Sequence, residues 1–238
     1  DLSIPRVMGI LNITPDSFFS GSRHQKTASI LDAAEKMIAE GVDIIDIGGF
    51  SSRPGARDIS PEEEIDRVLK ALKSLPKEFP EVPISVDTFR ASVARQSIDY
   101  GAAMINDISG GTLDDNMFET ISALGVPYVL MHMRGRPENM QMHTEYVNVV
   151  DEVFNFLQKK LQILSQMGVN DVIVDVGFGF SKTTDQNYVL LKNLNYFKKL
   201  ETPILVGLSR KSMIWKRLEC TPDEALNGTT ALHTWAIL

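Results

Sequence analysis

Polar side chains that could bind a ligand follow the short apolar runs of this chain, at or near the point where each run stops. These residues are Asn12 after the first run, Asp87 after the third, Asn106 and Asp107 after the fourth, and Asp175 after the sixth. In an α/β barrel the active site lies at the carboxyl ends of the strands, so polar residues that end an apolar run are candidates for it. One such residue alone more often closes a turn or caps a helix, but their recurrence at equivalent positions favours a shared site.

Two loops combine hydroxyl groups, glycine and a cationic side chain. They are Ser51–Gly55 (SSRPG), after the second run, and Gly207–Ser212 (GLSRKS), after the seventh. Such loops suit an anion, for example a diphosphate or a carboxylate, held by charge-assisted hydrogen bonds. Ordinary surface turns use the same residue types, so an anion site is one of two interpretations of each loop.

The segment Asp175–Phe180 (DVGFGF) carries two phenylalanines separated by a glycine. Their presence in a loop predicts that they line a pocket for a flat apolar ligand, with packing beneath the loop as the alternative. His132 and His143 lack a metal-ligand spacing with other histidines or cysteines, and we interpret both as non-ligands. The chain has no nucleophile elbow and no Ser/His/Asp order.

Seven short apolar runs must place these residues, and longer amphipathic stretches alternate with them. Because the runs are continuously apolar, they predict parallel strands covered on both faces. An open doubly wound sheet and an α/β barrel both give this alternation. The first turn, Asn12–Asp16, lacks the glycines of a dinucleotide-binding fold, which favours a (β/α)8 TIM barrel. The predicted strands are Val7–Leu11, Val42–Ile47, Ile84–Val86, Ala103–Ile105, Val126–Met131, Val172–Val174 and Ile204–Val206.

Several helix boundaries are also predicted. Ser60 and Thr221 are each followed by proline and, three residues on, by glutamate, which is the pattern of a capping box. The second of these predicts a helix over Pro222–Leu238. Thr88 is a suitable cap for a helix beginning at Phe89, which leaves Asp87 free for another role.

The composition is that of an ordinary globular protein. The chain has 238 residues, a formal net charge of -7 and a single cysteine, Cys220. The acidic balance argues against nucleic-acid binding, and no apolar run is long enough to predict a membrane span. A lone cysteine favours a reducing compartment, so we expect a cytoplasmic protein. We also expect a single domain over residues 1–238. Because the first residue is Asp1 and not methionine, we expect that the N-terminus is trimmed.

Seven segments in order resemble the motifs of the dihydropteroate synthases, a family of pterin-binding enzymes. They span nearly the whole chain, and although each is weak alone, their order is very specific. The segments are MGILNITPDSF at Met8–Phe18, DIIDIGGFSSRPG at Asp43–Gly55, SVDT at Ser85–Thr88, IND at Ile105–Asp107, LMHM at Leu130–Met133, DVGFGF at Asp175–Phe180 and GLSRKS at Gly207–Ser212.

The resemblance implies a TIM barrel that condenses 6-hydroxymethyl-7,8-dihydropterin diphosphate with p-aminobenzoate, using Mg²⁺, in folate biosynthesis. It implies that Asp87, Asp175, Lys211 and Arg53 serve catalysis, that Asn12 ligates Mg²⁺, and that the enzyme is a homodimer and a sulfonamide target. The implied pterin-binding residues are Asp87, Asn106, Met131, Asp175 and Lys211. The implied p-aminobenzoate-binding residues are Phe18, Ser52, Arg53, Pro54, Phe180, Lys211 and Ser212.

The sequence departs from the family pattern in three places. Ser52 stands where the family usually has threonine, and Val176 stands where it usually has proline. The Arg-x-His of an eighth strand is absent, so we expect roughly 30 further residues, one more βα unit, to complete a barrel. A corrinoid-type methyltetrahydrofolate methyltransferase and a pterin-binding protein without catalysis remain the alternative functions.

Overall fold

A computed structural model describes residues 2–13, 23–51 and 58–238, with the side chains of 23–27 excepted. The described chain alternates strands with helices, as the sequence predicts, and the bounds of each predicted strand are within two residues of those observed. The strands are β1 Met8–Asn12, β2 Ile44–Gly48, β3 Ile84–Asp87, β4 Met104–Asp107, β5 Tyr128–Met131, β6 Val172–Asp175 and β7 Ile204–Leu205.

The seven strands form one parallel sheet in sequential order, β1 to β7. Each strand therefore pairs with its neighbours in the chain, which is the arrangement of a (β/α) barrel wall and not of a doubly wound sheet. In the described residues no ladder joins β7 back to β1. Strand β5 begins at Tyr128 and not at Val126, because Pro127 has no N–H to donate to a ladder.

Helices and short helical turns connect the strands and cover the outer face of the sheet. Branched and aromatic side chains such as Ile45, Val86 and Leu130 are fully buried between the sheet and these helices. The helices are α1 Arg23–Ala39, α2 Pro61–Leu72, α3 Leu75–Glu78, α4 Ala91–Asp99, α5 Met117–Leu124, α6 Val149–Gln166, α7 Thr184–Lys192, α8 Ser212–Trp215 and α9 Leu226–Ile237, with 3₁₀ turns at Met140–Met142 and Leu194–Leu200.

The predicted cap at Ser60 is confirmed, because its hydroxyl accepts the Glu63 N–H at 3.2 Å. The prediction for Thr88 is wrong. Helix α4 begins at Ala91, and the N–H of Ala91 is capped at 2.8 Å by Asp114 from the following unit. Thr88 accepts only the Arg90 N–H, at 3.2 Å.

The predicted start of the last helix at Pro222 is also wrong. Thr221 and Glu224 do form reciprocal capping bonds, with the Thr221 N–H donating to the glutamate at 2.9 Å. The residues after Thr221 close i to i+3 turns, as in the bond from the Ala225 N–H to the Pro222 carbonyl. The α-helix begins one turn later, at Leu226.

Candidate active site

The strand-end polar residues lie in two rows on one face of the sheet. The strand register pairs Asn12 with Gly48, Gly48 with Asp87, and Asp87 with Asn106. Asn106 is paired with Val129, so Met131 and its partner Asp175 lie two residues further along β5 and β6. Because residues two apart on a strand point to the same face, these side chains meet above the carboxyl ends of the strands.

A cavity of about 1490 Å³ opens over these strand-end residues. It also extends along the gap between β1 and β7, where Ile10 and Leu205 line it. The predicted site residues that line this cavity are Asn12, Asp87, Asn106, Met131, Asp175, Phe180 and Lys211.

Asp87 is half-buried at the end of β3. Burial raises the pKa of its carboxyl well above the ordinary value, and the nearby carboxylates of Asp46, Glu64 and Asp107 raise it further. A carboxyl group with a raised pKa can act as a hydrogen-bond donor when it is protonated and as an acceptor when it is ionised.

Asp46 is a buried cavity residue whose role the sequence reasoning left open. Its carboxylate accepts the side-chain N–H of Asn106 at 3.0 Å, and burial raises its pKa. This bond turns the amide oxygen of Asn106 away from Asp46. The amide of Asn106 is thereby oriented to accept a hydrogen bond from a ligand.

Asp175 ends β6 and closes the turn that follows it. Its Oδ1 accepts the Gly177 N–H at 2.7 Å, which leaves Oδ2 for a ligand. Burial raises the pKa of this carboxyl, whereas the ammonium of Lys211 lowers it. Turn closure and ligand binding are therefore compatible roles for this residue, one for each oxygen.

Lys211 lies over the loop after β6. Its ammonium donates to the Phe178 carbonyl and stands 4.9 Å from the centre of the Phe180 ring. The preceding residue, Arg210, has a positive φ of 48° and directs the chain back toward the cavity. Burial lowers the pKa of Lys211, and Asp175 opposes that shift.

The two phenylalanines of the DVGFGF segment have different environments. Phe180 is half-buried and lines the cavity, as predicted. Phe178 has 0% exposure and packs in the main hydrophobic core, so the prediction that it lines the pocket is wrong. Gly179, with φ of +83°, allows the chain to turn between them, so the two side chains point to opposite sides of the loop.

Other candidate residues lie outside the cavity or outside the described residues. Ser212 is the first residue of α8 and does not line the cavity. Asp107 is fully buried and accepts hydrogen bonds from the Ser109 and Gly111 N–H groups and the Tyr128 hydroxyl. Phe18, Ser52, Arg53 and Pro54 lie outside the described residues, so their placement stays a prediction.

Lys182 is a buried cation that the sequence reasoning did not single out. Its ammonium contacts His132 and the carbonyls of the loop after β6. His132 is accordingly a structural partner of a lysine. No local pattern marks a lysine as buried when its partner is 50 residues away.

Asn12 could contribute to a metal site. Within the described residues its amide oxygen has no hydrogen-bond partner, and a side chain at Gly48 would stand 3.0 Å from it. A hard oxygen donor beside open space fits Mg²⁺, which commonly takes few protein ligands and completes its shell with phosphate oxygens and water. Elsewhere in the described residues no group of three or more His, Cys, Asp or Glu side chains could hold a metal.

A family model described as "Pterin binding enzyme" matches residues 8–238. The chain belongs to this family. The dihydropteroate synthase of Synechocystis is 42% identical over 234 residues, an alignment that covers 97% of this chain and 81% of the relative.

Solved structures of the family share the fold. The dihydropteroate synthase of Xanthomonas albilineans, solved with 4-aminobenzoic acid, has a TM-score of 0.91 and 37% identity, covering 99% of this chain and 85% of that one. The Yersinia pestis enzyme, solved as a sulfonamide drug complex, has a TM-score of 0.91 and 40% identity with the same coverage. In the described residues of this family member, no helix is long and apolar enough to cross a membrane.

Proposed function

We propose that the chain is a dihydropteroate synthase, a transferase that joins a dihydropterin diphosphate to p-aminobenzoate and releases diphosphate. The observation that carries this proposal is the row of Asp87 and Asn106, with Asp175 and Lys211 on the same cavity. Carboxyl and amide groups at fixed positions match the alternating donors and acceptors of a pterin edge. Family membership and the relatives named above support the same activity.

Different residues of the cavity would bind different parts of the pterin. Asp175 offers one carboxylate oxygen, Asn106 offers its amide oxygen, and Asp87 can donate or accept. Met131 supplies a polarizable wall on one face of the ring. Lys211 supplies a cation on the other.

The reaction breaks the C–O bond between the pterin methylene and the diphosphate. Positive charge develops on that carbon, next to the electron-rich ring, and the neutral amine of p-aminobenzoate attacks it and then loses a proton. A strong base is not required, because the amine already carries a free electron pair at pH 7. Catalysis then comes from positioning and electrostatics.

We propose that Asn12 holds Mg²⁺ together with the diphosphate. When bound, the cation would stabilise the negative charge of the leaving diphosphate. The p-aminobenzoate would lie against Phe180 and Lys211, with Phe18, Ser52, Arg53, Pro54 and Ser212 completing its pocket, and sulfonamides would compete there. We further propose that the chain forms a single domain whose seven-stranded sheet is closed by an eighth strand. We also propose that the protein is a homodimer, which analytical ultracentrifugation would test.

The direct test is to incubate the protein with pterin diphosphate, p-aminobenzoate and Mg²⁺ and to measure diphosphate release and dihydropteroate. We expect release that needs both substrates and that a sulfonamide inhibits. Pterin binding without release would indicate a non-catalytic pterin-binding protein. Methyl transfer from methyltetrahydrofolate to a corrinoid would indicate the methyltransferase.

A further inference from the structure

Lys182 is enclosed by the loop after β6 and by the end of β5. Its side chain is 3% exposed, and Nζ lies 2.9 Å from the carbonyl oxygens of Gly177 and Phe180. The His132 Nδ1 and carbonyl oxygen are 3.0 and 3.3 Å away. An ammonium group can only donate hydrogen bonds. The Nδ1 atom of His132 must therefore be an acceptor, and the His132 ring is neutral. Burial and the Lys182 cation hold the pKa of His132 well below its usual value.

Two of the three partner residues of Lys182 also contact Asp175. The N–H of Gly177 donates to Asp175 Oδ1 at 2.7 Å, and the N–H of His132 donates to the Asp175 backbone carbonyl at 3.0 Å. Lys182 thus binds the carbonyl groups of Gly177 and His132, whose N–H groups bind Asp175. A displacement of Gly177 would shift its bond to the Asp175 carboxylate, and a displacement of His132 would shift its bond to the Asp175 backbone.

The same loop is held from its cavity side by Lys211. Lys211 donates to the Phe178 carbonyl, while Lys182 donates to the carbonyls on either side of it in the loop, those of Gly177 and Phe180. Two lysines thus fix three nearby carbonyls from opposite sides. Gly177 and Gly179 permit this path, because both have positive φ.

Charge adds to this geometry. Burial raises the pKa of Asp175, and Lys211, the Gly177 N–H and Lys182 lower it, in that order. Burial lowers the pKa of Lys182 well below its usual value, Asp175 opposes that shift, and Lys211 and Arg134 add to it. Three carbonyl oxygens around Nζ favour the ammonium form of Lys182. In that form Lys182 adds to the positive charge of Lys211 that favours the ionised form of Asp175.

We infer that Lys182 is a positioning residue of the proposed pterin site, acting through the loop Gly177–Phe180 to hold Asp175 oriented and ionised for the pterin edge. The inference rests on the proposed function. This role requires no contact between Lys182 and the substrate. It also explains why an ammonium group is buried beneath this loop.

The test compares Lys182→Met with Lys160→Met. Lys160 is a half-buried lysine on α6 that packs over Phe118 and Phe156 and does not line the cavity, so it controls for loss of a partly buried ammonium. Calorimetry should show about tenfold weaker binding of pterin diphosphate for Lys182→Met, the effect of disordering one buried hydrogen bond, and less than about twofold for the control.

A second readout separates positioning from simple loss of stability. Removing the Lys182 charge should raise the pKa of Asp175, so the acid limb of pterin affinity against pH should move to higher pH. If Lys182→Met does not fold, Lys182→Gln keeps neutral donors in the cage and should show the same displaced acid limb. A folded variant with wild-type affinity and an unmoved acid limb would overturn the inference.

Failure of the proposed function would look different. In that case the wild-type protein itself would neither bind pterin diphosphate nor release diphosphate with p-aminobenzoate. An active wild type with unaffected Lys182 variants would remove the positioning role alone.

Discussion

Asp87 shows how a ligand-binding side chain can oppose folding. Its carboxyl must lose a proton in a half-buried position beside other carboxylates, which raises its pKa in the folded protein. A raised pKa means that the folded state binds the proton more tightly than the unfolded chain. Stability therefore falls as pH rises above the unfolded value of about 3.9.

We predict that Asp87→Asn stabilises the protein and weakens pterin binding. The gain in unfolding free energy should be near zero at pH 4 and should increase as the pH rises to 7, because the half-buried carboxylate is then ionised in the wild type. Urea unfolding across this pH range measures it, with the exposed Asp99→Asn as control. A gain that is independent of pH would contradict this explanation.

The sequence predicts the cavity residues that end strands better than those that support them. Asp87, Asn106 and Asp175 stand where an apolar run stops, which is a local signal that the sheet brings together on one face. Asp46 and Lys182 carry no such signal. Their roles depend on Asn106 and His132, 60 and 50 residues away, and such contacts exist only after the strands are assembled.

At the scale of elements, the loop after β6 approaches β5 more closely than any side chain would allow. A Cβ at Gly177 would stand 2.0 Å from the His132 carbonyl oxygen, and the residue has φ of +72°. Gly168, at the end of α6, has a similar φ of +82° but nothing within 4 Å of such a Cβ. Alanine substitutions at these two glycines therefore separate the cost of a left-handed backbone from the cost of a steric clash.

We predict that Gly168→Ala costs about 1 kcal/mol, the usual penalty of a left-handed residue with a side chain. Gly177→Ala should cost about 3 kcal/mol or more and should also impair pterin binding, because the loop must move away from β5. Thermal unfolding of both variants measures the difference. Equal costs would mean that the loop relaxes freely.

A second element-scale feature is the ion pair between α2 and the start of α4. Glu64 has 0% exposure, and its carboxylate pairs with Arg90, which also donates to the Ile59 carbonyl at 2.7 Å. The guanidinium lies 5.4 and 5.0 Å from the ring centres of Phe50 and Phe89. Arg90 thereby joins the segment before Ser60 to both helices.

We predict that Arg90→Met destabilises the protein by about 3 kcal/mol, because it leaves a buried carboxylate without its partner. Adding Glu64→Gln should recover part of that loss, since the stranded charge is then removed. A double-mutant cycle, measured by urea unfolding, gives the coupling free energy between the two side chains. Additive effects would indicate that the two side chains do not stabilise each other.

At the scale of elements, helix starts were harder to predict than strands. The α4 cap comes from Asp114 in the next βα unit, and the turn after Thr221 uses i to i+3 bonds before α9 begins. Capping boxes describe local hydrogen bonds well. The residue at which a helix begins depends on neighbours that a single local pattern does not include.

At the scale of the whole molecule, β1 and β7 each have one unpaired edge in the described residues. Ile10 on β1 lines the gap between them and is 57% exposed. An eighth strand, as we propose, would cover this side chain and complete the hydrogen bonding of both edges.

We predict that Ile10→Lys destabilises the natural protein by about 2 kcal/mol or more, because the ammonium would be buried without a partner. Tyr100→Lys, at an exposed position after α4, should change the unfolding free energy by less than about 0.5 kcal/mol. Chemical unfolding of both variants measures the difference. An Ile10→Lys effect as small as the control would mean that the gap stays open.

The sequential strand order has a consequence for how the protein acquires its structure. In the described residues, each strand pairs with the strand before it and the strand after it along the chain. A chain emerging from the ribosome can therefore add one βα unit at a time to an existing sheet edge, without waiting for distant segments. The polar ligand-binding side chains come from β1, β3, β4 and β6 and from the loop after β7, so the site is complete only when the last of these units has been added.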